Sequence, residues 1–200
     1  MTDTSIIDLI RHGEPVGGRA YRGHTIDDPL NDKGWQQMWQ AVGEHAPWSQ
    51  IISSPLLRCR DFADALAEKH AISVETDERL KEVGFGEWEG KTPEQLRHER
   101  LQEYEAFYQD PVNNRPVGAE PLKEFINRVT EAYEETVSRH RGQHILLVTH
   151  AGVIRAVIAH ILHADPLGMY RITVHNAGIT RIRSTIYGDM LEYHNHTLEK

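Results

Sequence analysis

The chain is poor in cysteine. Among 200 residues there is one, Cys59, so no internal disulfide can form and the composition fits a reducing cytoplasm. It lacks a long hydrophobic run, and no apolar stretch approaches the ~18 residues a membrane span needs. Its first residues, Met1-Thr2-Asp3-Thr4-Ser5, lack the basic and apolar regions of a signal peptide. It also lacks an excess of positive charge. With 22 basic and 30 acidic residues the net charge is -8, which speaks against a general nucleic-acid binder. An anionic small molecule stays open, because a few arginines in one pocket can set the local field. Cys-x-x-Cys, His-Glu-x-x-His and the Gly-rich nucleotide loop are absent. Ser53-Ser54 lacks the context of a nucleophile elbow.

What is present is two stretches of one design. Ile6-Ile7-Asp8-Leu9-Ile10 is a short apolar run that ends in Arg11-His12-Gly13-Glu14. Ile145-Leu146-Leu147-Val148 is another, ending in Thr149-His150-Ala151-Gly152 before a helical pattern from Val153. Such runs read as buried strands, and ligands in open α/β sheets bind beyond their carboxyl ends. If the two strands are parallel neighbours, His12 and His150 face each other across one pocket.

The remaining pattern alternates strands with helices. Asn31 or Asp32 caps a helix with Trp35, Met38, Trp39 and Val42 at helical spacing. Ile51-Ile52-Ser53 is a strand, and a helix from about Leu57 places Arg58 in its first turn, a position unfavourable to a cation unless it meets an anion. Ile72–Glu75, Arg171–Val174 and Ile179–Arg183 read as further strands. Met190–Tyr193 reads as an edge strand after a turn at Gly188-Asp189. Residues 15–24 form an irregular loop, and residues 80–90 a shaped loop carrying Glu82, Glu87 and Glu89, of which the last two read as solvated. A helix from Thr92 towards Tyr108 and a polar loop to Pro121 read as a helical insertion at about 92–121 that covers the site. The whole, 1–200, reads as a single domain: a three-layer α/β/α sandwich with a mostly parallel mixed sheet and an antiparallel edge strand.

Arg11, His12, Arg58, Glu82 and His150 suit a phosphoryl group. Guanidinium matches phosphate oxygens with paired hydrogen bonds. A neutral imidazole is a covalent nucleophile, and neighbouring arginines oppose its protonation. Backbone N–H groups at a helix start after Gly13 or Gly152 would add donors. A carboxylate such as Glu82 can protonate a leaving oxygen and later activate water. His12, His150 and Glu82 could instead hold a metal, but flanking arginines make a dication site unfavourable. Cys59 reads as core, and His194-Asn195-His196 as solvated.

Four blocks carry a family resemblance: Arg11-His12-Gly13-Glu14, Ser53-Ser54-Pro55-Leu56-Leu57-Arg58, residues 80–90, and Val148-Thr149-His150-Ala151-Gly152-Val153-Ile154-Arg155. In this order they resemble the histidine phosphatase superfamily, also called phosphoglycerate mutase-like. The resemblance implies that His12 is phosphorylated during turnover, that Arg11, Arg58 and His150 hold the phosphate, and that Glu82 is the proton donor. It implies a metal-independent enzyme with no cofactor. Tyr21-Arg22-Gly23-His24 and the residues to Trp35 resemble the alpha-ribazole phosphatase branch of cobalamin assembly, and Arg22, Gly23 and Ala151 join the set as expected substrate or phosphate contacts. The expected function is hydrolysis of a small phosphorylated metabolite, with alpha-ribazole 5'-phosphate as the first candidate. The alternatives are mutase-type phosphoryl transfer and a pseudo-enzyme that binds phosphorylated ligands. A homodimer through edge strands or exposed aromatics is compatible with the sequence but not required by it.

Overall fold

The computed structural model describes residues 4–44 and 46–198. Met1–Asp3, part of the stretch without a leader pattern, lie outside them. Among the described residues no helix is long and apolar enough to cross a membrane.

Six strands form one sheet: β1 (Ser5–Arg11), β2 (Gln50–Ser53), β3 (Ser73–Thr76), β4 (His144–Thr149), β5 (Ile179–Thr185) and β6 (Gly188–His196). The order is β3-β2-β4-β1-β5-β6. β1 to β4 run parallel, whereas β5 pairs antiparallel with both β1 and the edge strand β6. The register of β1 on β4 sets Arg11 opposite Thr149. His12 and His150 therefore leave the sheet side by side.

Both faces of the sheet are covered, so the central strands read as continuous apolar runs rather than alternating ones. On one face α5 (Leu122–Arg139) and α6 (Ala151–Ile161) pack Phe125, Val129, Val153 and Val157 against Ile7, Leu9 and Leu147. On the other α1 (Asp32–Val42) and α2 (Leu57–His70) pack Met38, Phe62 and Leu66 against Ile10, Ile51 and Val148. These three layers are the expected α/β/α sandwich. Each fully buried Ile or Leu contributes about 1.5–3 kcal/mol, which fixes the strand ends that carry the polar residues. The Asn31 side chain caps α1 by accepting from the Gly34 N–H.

Three local expectations are corrected. Arg171–Val174 is not a strand: a 3-10 helix spans Pro166–Arg171, and irregular chain follows. The reason lies in its carbonyls. Ile172 O accepts from Arg155, Thr173 O from Asn195 and Val174 O from Arg11, so side chains take the bonds a sheet ladder would need. The last hairpin turns at Ile186-Tyr187, and Gly188 already pairs with Thr185. The helix from Thr92 is two helices, α3 (Pro93–Glu99) and α4 (Leu101–Gln109), broken at Arg100. Leu96 and Phe107 of this pair join Trp88 in a small third core.

Candidate active site

The carboxyl ends of β1, β2 and β4 open into a cavity of about 550 Å³. Its wall holds Arg11, His12, Arg58, Glu82, Arg22, Gly23 and Ala151. Of the residues expected from sequence, one does not reach it. His150 is fully buried, with its ring 5.2 Å from that of His12 in an edge contact. The two rings do meet, but His150 stands behind His12, enclosed by Ser54 (Oγ to Nε2 2.7 Å) and by the Cys59 sulfur (3.6 Å from Nε2). Ser54 Oγ accepts from the Leu56 N–H, which leaves its own hydrogen for His150.

The His12 side chain is set up by its neighbour. Nδ1 lies 2.7 Å from the carbonyl of Gly13. A carbonyl only accepts, so Nδ1 carries the hydrogen and Nε2 keeps its lone pair. Burial, then the charges of Arg11 and Arg58, hold the His12 pKa well below the usual imidazole value. Burial and Arg58 do the same to His150. Both rings are neutral at neutral pH. Gly13 opens no helix. Instead a Cβ on it would overlap the backbone of Gly34, so its lack of a side chain lets the start of α1 lie directly against the His12 segment.

Arg11 and Arg58 are held by carbonyls with donors to spare. Arg11 Nη1 donates to Val174 O at 2.6 Å. Arg58 donates from Nη1 to Ile26 O and from Nη2 to Gly23 O, at 2.9 and 2.7 Å. Nε of each is buried and has no hydrogen-bond partner among the described residues. A buried donor left unsatisfied costs about 1–3 kcal/mol, a penalty that an anion in the cavity would relieve. Burial, with help from Arg155 and Arg58, pushes Arg11 down to about 10, still charged at neutral pH. Five arginines line the cavity (Arg11, Arg19, Arg22, Arg58, Arg155) against two acids, Glu14 and Glu82. A chain of net charge -8 thus holds a positive pocket.

Glu82 sits at the start of α6. Its carboxylate accepts from the Gly152 N–H at 3.1 and 3.2 Å and from its neighbour Val83 N–H at 2.9 Å. The Gly152 N–H is therefore engaged by Glu82 rather than left for a ligand. Ala151, the first residue of α6, lines the cavity itself. Among the described residues no three His, Cys, Asp or Glu side chains converge as a metal-binding group.

The loop before α1 is tied down more firmly than its glycines suggest. Arg22 pairs with Asp28 and donates to Val16 O. Glu89, expected in solvent, accepts from the backbone of Phe85 and Thr25 and from the Thr25 hydroxyl. Glu87 is exposed and pairs with Arg100. His194 is likewise structural, bonded to Thr180 Oγ1 and Thr173 O at 2.7 Å each. Cys59 is core, as expected, and burial pushes its thiol up. Sequence reasoning missed Arg155, Asn176 and the aromatic wall of Tyr21, Phe85, Tyr108 and Tyr170. Arg155 follows Ala151 by four residues on α6, the spacing that puts both on one helix face. The aromatics come from remote segments and leave no local signal.

Comparison with known proteins agrees with this geometry. The adenosylcobalamin/alpha-ribazole phosphatase of Salmonella typhimurium is 30% identical over 170 residues, 83% of this chain and 84% of that protein. Phosphoglycerate mutase-like protein 4 of Arabidopsis thaliana is 32% identical over 162 residues, 78% of this chain and 70% of its own length. The solved structure of Bacillus stearothermophilus YhfR matches with a TM-score of 0.88 at 26% identity, covering 96% of this chain and 98% of that one. The model of the histidine phosphatase superfamily (branch 1) matches residues 7–197. With strand ends, paired histidines and arginines in place, the chain belongs to the histidine phosphatase superfamily.

Proposed function

We propose that this protein is a phosphomonoesterase that works through a phosphohistidine on His12. One observation carries the reading: a neutral imidazole with its Nδ1–H on Gly13 O lies beside the guanidinium groups of Arg11 and Arg58, whose buried Nε donors have no partner among the described residues. In the first step Nε2 of His12 attacks phosphorus. The bond from phosphorus to the leaving oxygen breaks, and that oxygen takes a proton from the Glu82 carboxyl. In the second step water attacks phosphorus, its proton goes to Glu82, the bond from phosphorus to Nε2 breaks with its electron pair returning to His12, and phosphate leaves. Arg11 and Arg58 hold the equatorial oxygens throughout. Arg22, Gly23 and Ala151 form the rim on the substrate side. His150, enclosed behind the nucleophile, orients the His12 ring. Residues 92–121 act as cover, with Pro93 and Tyr108 on the cavity wall.

The first substrate to try is alpha-ribazole 5'-phosphate, in line with the name of the Salmonella relative. The test of the reaction type comes before the substrate. p-Nitrophenyl phosphate is turned over with excess chelator by the wild type, His12→Ala and Glu82→Gln. Chelator-resistant turnover that disappears in His12→Ala, together with an acid-labile phosphate trapped on His12, is the expected result. Turnover that survives in His12→Ala refutes the reading.

A further inference from the structure

A second cavity, of about 150 Å³, adjoins the first and shares Tyr21, Phe85, Tyr108, Arg155 and Tyr170 with it. Phe107 brings the aromatic side chains of its wall to five. They come from separate segments: the loop over 15–24, the loop over 80–90, α4 and the 3-10 helix Pro166–Arg171. Their rings meet one another edge to face, with Tyr21 5.1 Å from Phe85 and Phe107 5.7 Å from Tyr170. Pro111 and Leu167 add apolar surface, and Arg155 and Arg171 complete the wall.

Taken with the phosphomonoesterase reading on which it rests, this placement assigns the second cavity a ligand group. We propose that it binds a planar aromatic ring carried by the leaving group of the substrate. Three features support this. The volume matches: about 150 Å³ is room enough for a benzene-sized ring. The chemistry matches: aromatic walls favour edge-to-face and offset contacts with another ring, and guanidinium groups stack on aromatic faces. The hydroxyls offer few free donors to a polyhydroxy group. Tyr21 and Tyr108 bond to each other at 2.6 Å, and Tyr170 accepts from Arg115 at 3.0 Å. Two O–H hydrogens of the wall, that of Tyr170 and one of the Tyr21–Tyr108 pair, thus remain for a ligand, fewer than a sugar's several hydroxyls need. Phe107 also belongs to the small core with Trp88 and Leu96, and Tyr21, Phe85 and Tyr170 pack against it.

The test uses substrates with matched leaving groups. 2-Phenylethyl and 4-phenylbutyl phosphate are compared with n-butyl phosphate, since all three release a primary alkoxide and only the ring differs. The two arginines could instead select a second anion, so 3-phosphoglycerate is the fourth substrate. A phenyl substrate should exceed n-butyl phosphate in kcat/KM by about tenfold. Tyr108→Leu and Tyr170→Leu should each shrink that ratio several-fold, mainly through KM. Equal kcat/KM with and without the ring overturns the proposal while leaving the phosphatase reading intact. So does a preference for 3-phosphoglycerate over every aromatic substrate. If the wild type hydrolyses none of the four and no p-nitrophenyl phosphate, the phosphatase reading fails and this one falls with it. The substrate series on the wild type decides even if a variant does not fold.

Discussion

Asp8→Asn should destabilise the protein strongly while leaving the reaction alone. Asp8 lies in the middle of β1, three residues before Arg11, and has no exposed surface. Arg181 donates to both of its oxygens at 2.8 and 2.9 Å. Trp48 Nε1 and His144 Nε2 lie 2.9 and 2.8 Å from Oδ2. Burial alone would raise its pKa, but the bonds from Arg181 and His144 outweigh burial and hold it below the usual carboxylate value. Asparagine keeps an acceptor for Trp48 yet removes the charge and turns an N–H group towards donors. Breaking a buried ion pair costs about 3–5 kcal/mol. The Arg181 side chain is 20% exposed and can recover some hydration, so the low end, about 3 kcal/mol, applies. For a chain of this size each kcal/mol moves Tm by about 2–4 °C, giving a loss of about 6–12 °C at pH 7. The pH dependence has a definite sign. A carboxyl with a depressed folded pKa stabilises above its unfolded value of about 3.9, and the stability is lost as pH falls through the lower folded value. The gap between wild type and variant should therefore close in acid. Thermal unfolding followed by circular dichroism from pH 7 to pH 3 reads both effects. A variant within 1 °C (about a quarter to half a kcal/mol) of wild type at pH 7, or a gap undiminished in acid, would refute the reasoning.

Three further outcomes concern the site. The depressed pKa of His12 keeps its ring neutral as pH falls through the ordinary histidine value of about 6.5. An NMR titration of the free protein should find its ring unprotonated there, and protonation at or above that value contradicts the assigned environment. Ser54→Ala leaves His150 Nε2 without its 2.7 Å partner. An unsatisfied buried group costs about 1–3 kcal/mol of stability, and a His150 ring no longer held by Ser54 should lower kcat with little change in KM. A change below about twofold removes Ser54 as a positioning residue. Gly23 has φ 55°, and a Cβ there would overlap the Glu89 carboxylate. Gly23→Ala should lower stability by about 1–3 kcal/mol. By shifting the carbonyl that holds Arg58 it should also raise KM, which kinetics beside thermal unfolding would show.

The sequence by itself determined the sandwich and the floor of the site. Unbroken apolar runs such as Ile145–Val148 can only be buried on both faces, and a polar residue at the end of such a run has one place to go. His12, Arg11 and Arg58 were legible for that reason, because the signal lies within a few residues of each. The tertiary structure decided what depends on distant partners. Whether Arg171–Val174 became a strand turned on where Arg11, Arg155 and Asn195 sent their donors. Whether Glu89 met solvent turned on Thr25, 64 residues away. His150 fell behind His12 rather than into the cavity because Ser54 and Cys59, nearly 100 residues earlier, close around it. The aromatic wall likewise exists only where separate segments meet. Hydrophobic periodicity is local and survives in the order of residues, whereas the pairing of polar groups and the shape of a cavity are settled only when the chain has closed on itself.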